Sequence, residues 1–258
     1  GVYYFLNREG KPIYIGKARN LRKRVASHFI SNKESRRSQA FKREIYHLNF
    51  QLTGSELVAG LLEDHEIRQH WPRYNRAQKK RRRRYGIYYY QNQSGEICLA
   101  VNQVTVQQGF IREFYSLHEA HNWLHEKVEE YALDPARCGF PYYTNNADHN
   151  HRKGIENFLL KLEEEACSLV IKTRGRNENE DGFILVIEGH CRGYGYVPRE
   201  YSFSHLQQLA DYLNPIKASI TTRGLIESAV SSGRFEVAMI EGEIEVYPDF
   251  SNKATLSI

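Results

Sequence analysis

The run Val2-Tyr3-Tyr4-Phe5-Leu6, the polar stretch Asn7-Arg8-Glu9-Gly10 and the run Pro12-Ile13-Tyr14-Ile15 leave little choice of local structure. Aromatic and β-branched side chains suit the half-buried surface of a sheet, and a polar, glycine-ended stretch between two such runs favours a hairpin. A helix is expected next, from about Asn20 to Phe29. Asn20 is a plausible N-cap, and Leu21, Val25 and Phe29 recur every four residues on one face, while Arg24 and His28 share another. Residues 31–38 read as a polar loop, and Ala40 to Leu48 as a second, basic helix. Thr53 and Glu56 suggest a capping box that opens a helix running to about His70. Trp71-Pro72 stops it, because the residue before proline resists helical geometry.

Further along, Ile87 to Tyr90 and Ile97 to Val101 flank Asn92-Gln93-Ser94-Gly95 as another hairpin, and Leu117 to Tyr131 reads as a helix. Pro135 to Arg152 is loop-rich, and Gly154 to Ala166 is an amphipathic helix with Ile155, Phe158, Leu159 and Leu162 on one side. Strands are expected at Leu169 to Lys172, Phe183 to Ile187, Tyr194 to Val197, Phe235 to Ile240 and Ile244 to Tyr247, with helices at His205 to Leu213 and Thr222 to Ser231. The pattern is α+β, without an internal repeat.

Charge divides the chain. Residues 1–85 hold 21 Lys+Arg against 7 Asp+Glu, or +14, whereas residues 86–258 hold 15 against 24, or −9. A surplus of that size in a short segment is the electrostatic footprint of a polyphosphate partner, since each neutralised phosphate releases counterions. Two domains are therefore expected, 1–85 and 86–258. No apolar run approaches the roughly 18 residues of a membrane span. The four cysteines, Cys98, Cys138, Cys167 and Cys191, lie far apart without a CxxC pair, which fits a reducing, intracellular setting, and a bacterial cytoplasmic, nucleoid-associated location is expected. With Gly1 inside a strand and Met239 the sole methionine, the chain reads as starting partway through a longer polypeptide.

Six polar residues of the basic segment fall on rigid elements: Tyr3 and Tyr14 on paired strands, Arg24 and His28 one helical turn apart, Glu63 on a later helix, and Asn75 after Pro72. The string Gly1-Val2-Tyr3, then ten residues, then Tyr14-Ile15-Gly16-Lys17-Ala18, resembles the GIY-YIG nuclease signature, with valine replacing its middle isoleucine. Asn20-Leu21-Arg22-Lys23-Arg24, Leu61-Leu62-Glu63 and Pro72-Arg73-Tyr74-Asn75 are similar to the UvrC branch of that family and its single-domain relatives, over about residues 1–80. The resemblance implies a three-stranded antiparallel sheet with flanking helices, followed here by a second α+β domain.

It also implies phosphodiester hydrolysis, which needs an activated water, charge stabilisation on the phosphorus and neutralisation of the leaving oxygen. Glu63 matches the glutamate that holds one divalent ion, Mg²⁺ or Mn²⁺; one carboxylate with waters and substrate phosphate completes an octahedron. Tyr14 or Tyr3 takes the proton from the attacking water, with Lys17 and Arg24 easing ionisation of the phenol. Arg24 can also grip two phosphate oxygens with its planar fork. His28 stands where the UvrC pattern has tyrosine and looks like the homing-endonuclease branch, so it is a third candidate base or an added phosphate contact. Asn75 matches a site-bracing asparagine, with a chain-turn hydrogen bond as the alternative. Arg19, Arg22 and Lys23, with the run Lys79, Lys80, Arg81, Arg82, Arg83 and Arg84, are assigned to DNA phosphates.

Gly86-Ile87-Tyr88 repeats three letters of the signature without its partner and reads as a strand start. Asp148, His149 and His151 read as a polar loop, because no cysteine or carboxylate set completes a metal site. UvrC relatives often carry four cysteines after this domain; only Cys138 corresponds, and no iron–sulfur cluster is expected. Arg192-Gly193-Tyr194-Gly195-Tyr196 resembles the tail of bacterial fusions that place a DnaQ-like exonuclease ahead of a GIY-YIG domain, which would put an exonuclease upstream. The second half is expected to position DNA or a repair partner, its loss altering substrate choice more than chemistry. The expected activity is a metal-dependent, structure-selective DNA endonuclease acting on nicked, branched or damaged DNA in repair. Its competitors are a catalytically idle nucleic-acid-binding module and an RNA nuclease.

Overall fold

The computed structural model describes residues 1–30, 35–75, 84–104, 110–141, 150–165, 168–200 and 207–240. β1 (Val2–Leu6) and β2 (Pro12–Lys17) form the expected antiparallel hairpin. α1 (Leu21–Ser27) is opened by Asn20, whose side-chain oxygen accepts from the Lys23 N–H at 2.9 Å. The segment expected to be one basic helix, Ala40 to Leu48, divides into α2 (Arg36–Arg43) and β3 (His47–Gln51). Ser35 caps α2 earlier than expected, and the chain then turns so that β3 pairs with the open edge of β1, giving the order β2-β1-β3. α3 (Glu56–His70) is capped by Ser55, which accepts from the Val58 N–H. The expected Thr53–Glu56 box does not form; the Thr53 hydroxyl donates to the Ser55 carbonyl instead. Trp71 ends the helix with a left-handed backbone, φ 48°.

β4 (Tyr85–Gln91) and β5 (Ile97–Gln103) make the second hairpin, β6 (Arg112–Phe114) adds to β4, and α4 (Leu117–Glu130) and α5 (His151–Glu165) accompany them. Gly86-Ile87-Tyr88 is indeed strand. Ile87, Leu99, Leu124, Leu133 and Phe158 centre this core. His151 is buried there; its Nδ1 accepts from the Asp134 N–H at 3.1 Å and its Nε2 lies 2.7 Å from the Ile97 carbonyl. Both ring nitrogens are thus satisfied in the core, and His151 opens a helix rather than sitting in a loop. Asp148 and His149 lie outside the described residues.

β7 (Leu169–Arg174), β8 (Glu180–Ile187), β9 (His190–Pro198), β10 (Leu213–Pro215) and β11 (Val237–Met239) form an antiparallel sheet of order β10-β9-β8-β7-β11. Only Gln207–Ala210 (α6) of the helix expected at 205–213 is helical among the described residues, because Leu213–Pro215 pairs with β9. α7 (Ile220–Ser231) follows, and the strand expected at 244–247 lies outside the described residues.

Contacts divide the described chain differently from its charge. Residues 1–80 and 167–242 form one unit, and 81–166 belong to the other. In the first unit Val2, Tyr4, Ile15, Leu61 and Leu62 share one apolar core with Ile171, Ile184, Tyr194, Ile216 and Ile226. Residues 167–242 are therefore structural cover for the N-terminal segment, so their loss would bare its core. Tyr196 Oη donates to the Thr53 carbonyl at 3.1 Å, and Ser219, which caps α7, donates to Asp64 Oδ2 at 2.8 Å. Asp64 also holds Arg68 at 3.0 Å. Among the described residues no helix is long and apolar enough to cross a membrane.

Candidate active site

Strand alternation places Tyr3, Phe5 and Tyr14 on the face of the first sheet that α1 and α2 cover. There they meet His28, just past α1, and Phe41 of α2. Ring centroids of Tyr14 and His28 are 5.3 Å apart, those of Tyr3 and Tyr14 5.9 Å, and those of Tyr14 and Phe41 5.7 Å. Tyr3 is fully buried, and its Oη lies 2.8 Å from His28 Nε2. Burial, and then the neighbouring Tyr14, raise the Tyr3 pKa, with Arg24 pulling the other way. Burial lowers the His28 pKa, as do the charges of Arg24 and Lys42. Both shifts keep the phenol protonated and the imidazole neutral, and with the imidazole proton on Nδ1 Tyr3 donates and His28 Nε2 accepts.

Gly16 lies beside Tyr3 in the register, and a Cβ there would stand 2.7 Å from Tyr3 Oη and 3.0 Å from Tyr14 Cε1. Glycine lets the two phenols close over the strand. This need was not apparent from the sequence, although the residue was part of the quoted signature. Arg24, in the last turn of α1, is exposed and within electrostatic reach of both tyrosines, which hold its charge more firmly.

Glu63, on α3, faces Lys17 at the end of β2. Its Oε1 accepts the Lys17 backbone N–H at 3.2 Å. The Lys17 ammonium lies over Gly60, one turn earlier, where a Cβ would be 3.5 Å from Nζ and 3.2 Å from Leu225 Cδ1. Gly60 thus accommodates Lys17 on one side and α7 on the other, a role that reads from sequence only as a helix-weakening glycine. Burial raises the Glu63 pKa; the Lys17 charge and backbone hydrogen bond oppose this, and Arg24 adds a smaller opposing pull. A half-buried carboxylate with one oxygen tied to the backbone fits a hard divalent cation, which would favour its ionised form. Among the described residues no group of three or more His, Cys, Asp or Glu side chains converges on such an ion, so the fit rests on Glu63 alone.

Asn75 is buried and binds both backbone groups of Ile15: Oδ1 accepts its N–H at 2.9 Å and Nδ2 donates to its carbonyl at 2.6 Å. The Tyr74 N–H donates to Ile13 O at 2.9 Å. β2 is an edge strand, and this segment takes the place of a further strand along it, holding Tyr14 and Gly16 from outside. The side-chain bonds therefore tie residue 75 to β2 rather than to its own local turn. Arg22 and Lys23 are exposed on α1. Arg19 is exposed too, but its guanidinium pairs with Glu56 at 2.7 Å, and Arg84 pairs with Glu113 at 2.7 Å. Lys79, Lys80, Arg81, Arg82 and Arg83 lie outside the described residues.

Residues 1–76 match the family model of a UvrC-like GIY-YIG domain. Over 75 residues, 29% of this chain, they are 45% identical to the UvrABC system protein C of Acinetobacter baumannii (strain SDF), covering 12% of that protein. The UvrABC system protein C of Methanosarcina barkeri is 41% identical over 75 residues, 29% of this chain and 14% of its own length. That of Cytophaga hutchinsonii is 43% identical over 76 residues, 29% of this chain and 13% of its own length. The matched segment spans about an eighth of the curated relatives.

Proposed function

We propose, on the premise that residues 1–76 form a UvrC-like GIY-YIG domain, that this chain is a metal-dependent, structure-selective DNA endonuclease acting in excision-type repair. The supporting observation is the convergence of the Tyr3–Tyr14–His28 cluster with Arg24 beside it and Glu63 held against Lys17. Mg²⁺ or Mn²⁺ on Glu63 would stabilise negative charge on the phosphate and the leaving oxygen. Arg24 binds the non-bridging oxygens and stabilises charge that builds up in the transition state. Tyr3 is fully buried and retains its proton, so it positions; Tyr14, only partly buried, is placed to take the proton of the attacking water as its phenolate, becoming the phenol as the hydroxide attacks. His28 orients Tyr3, and Asn75 and Gly16 fix the strand carrying Tyr14. Residues 167–242 support α3 and so the placement of Glu63.

The test is cleavage of labelled nicked, flapped and bubble DNA, beside matched RNA, with Mg²⁺, Mn²⁺ or EDTA. Cleavage of DNA that needs the ion and prefers interrupted duplexes is expected. Cutting of RNA alone, or binding without cutting at any metal concentration, would overturn the reading. A pH profile follows from the lowered His28 pKa. A neutral His28 accepts from Tyr3, and protonation removes that acceptor. kcat/KM should fall as pH drops through a value below the ordinary histidine value near 6.5, with no loss from this group between pH 7 and 8. His28→Gln should remove that acid limb; its persistence would assign it to another group.

A further inference from the structure

β3 extends the tyrosine-bearing face beyond the helices that cover it. Its register with β1 sets Phe50 opposite Tyr3 and Leu48 opposite Phe5. Asn49 and Gln51 alternate to the other face, where Gln51 Nε2 donates to Tyr194 Oη at 3.2 Å. Among the described residues, none covers β3 on the Tyr3 face. Leu48 is 49% exposed and Phe50 59%, and the same alternation continues to Tyr46 at 58% and Leu52 at 51%. Four apolar side chains thus line up along β3 and the residue flanking it at each end, over roughly 20 Å at about 3.3 Å per residue. The row begins one strand away from Tyr3.

α1 runs beside this row. At one end Gly1 lies between them: a Cβ on it would stand 3.1 Å from Leu21 Cδ1 and 3.3 Å from Leu52 Cα. At the other, Phe29 meets Phe5, the partner of Leu48, edge-on at 5.9 Å. Arg22 and Lys23 are exposed on α1 and make no ion pair among the described residues. An exposed apolar row on an edge strand alone would suit a second protein chain. Here it is bordered by the cations of α1, in a segment, residues 1–75, that holds 14 Lys+Arg against 7 Asp+Glu, or +7, which disfavours a second copy of the same basic surface and favours a polyanion with apolar rings of its own. Single-stranded nucleic acid has both features: bases stack on aromatic side chains while cations follow the phosphates. Paired bases are already stacked and cannot use the row.

Resting on the nuclease reading above, we infer that the Tyr46–Leu52 row, centred on Phe50, is a stacking platform for unpaired bases of the substrate strand beside the scissile phosphate. The platform would make the enzyme selective for bubbles and flaps, because only there are bases free to occupy it.

The experiment measures equilibrium binding in EDTA, so that no cleavage is involved, to fully paired DNA and to a bubble with a fluorescent adenine analogue in its unpaired segment. The unaltered chain should bind the bubble more tightly and quench the analogue. Phe50→Ala should lower the bubble-to-duplex affinity ratio by about 5- to 150-fold, the range of one lost base–aromatic stack, and relieve the quench. Phe50→Trp should restore both, which a folding defect would not allow. Equal affinity of the unaltered chain for both DNAs, or an unchanged ratio in Phe50→Ala, would overturn the platform and leave the nuclease reading standing. A dimer that Phe50→Ala converts to monomer would instead assign the row to a second copy. Failure to bind either DNA would overturn the nuclease reading as well.

Discussion

Glu63→Gln is expected to remove metal-dependent cleavage while DNA affinity changes by less than about twofold. Glutamine keeps the length of the side chain and an oxygen that can still accept the Lys17 N–H, so the bond of 3.2 Å and the helix position are retained. Burial raises the Glu63 pKa, so the neutral amide is no harder to bury than the carboxylate it replaces, and the melting temperature should hold or rise slightly. The charge that would hold a divalent ion is lost. If that ion supplies about 3–4 kcal/mol of transition-state stabilisation, the rate falls by about 10²- to 10³-fold. Affinity is expected to persist because the basic segment offers phosphates many cations other than Glu63's metal. Single-turnover cleavage and filter binding, run on one preparation, check both parts. Cleavage within about threefold of the unaltered chain would remove Glu63 from the metal site.

Gly54→Ala is expected to destabilise the unit formed by residues 1–80 and 167–242. Gly54 has φ +67°, and a Cβ there would stand 2.0 Å from the Gly175 carbonyl oxygen and 2.4 Å from that of Arg174. The left-handed backbone costs an ordinary residue about 1–2 kcal/mol. The overlap is with backbone that cannot rotate away, and adds about 1–3 kcal/mol. For a chain of this size, each kcal/mol lowers the melting temperature by roughly 2–4 °C. A fall of about 5–15 °C should therefore appear in a thermal melt followed by circular dichroism. A shift under about 2 °C would mean that the turn after β7 does not rest on Gly54 in solution. The result bears on function, since Ser55 caps α3 immediately after this contact and α3 carries Glu63.

The first hairpin, the amphipathic helices and the end of α3 at Trp71-Pro72 were legible in the residues themselves, because alternation, capping side chains and the steric demand of proline act within a few positions. So were Tyr3, Tyr14, Arg24, His28, Glu63 and Asn75, whose order and spacing carried the resemblance before any contact was known. β3 was not legible: a five-residue strand directly after a basic helix continues that helix in any local reading, and only the unpaired edge of β1 selects the extended form. The purpose of Asn75 depends on Ile15, 60 residues away in the chain. Apolar runs in residues 167–242 announced buried strands without saying what they would be buried against, and charge drew the boundary at residue 85. Sequence by itself thus determined the N-terminal family resemblance, the local elements and the chemical inventory of the site. Tertiary structure decided that residues 167–242 complete the N-terminal core, that Asn75 closes the edge of β2 and that Phe50 stands open beside Tyr3. Faces and caps are encoded by near neighbours, whereas the partner of an apolar face or an unpaired strand edge is selected by long-range burial and hydrogen bonding.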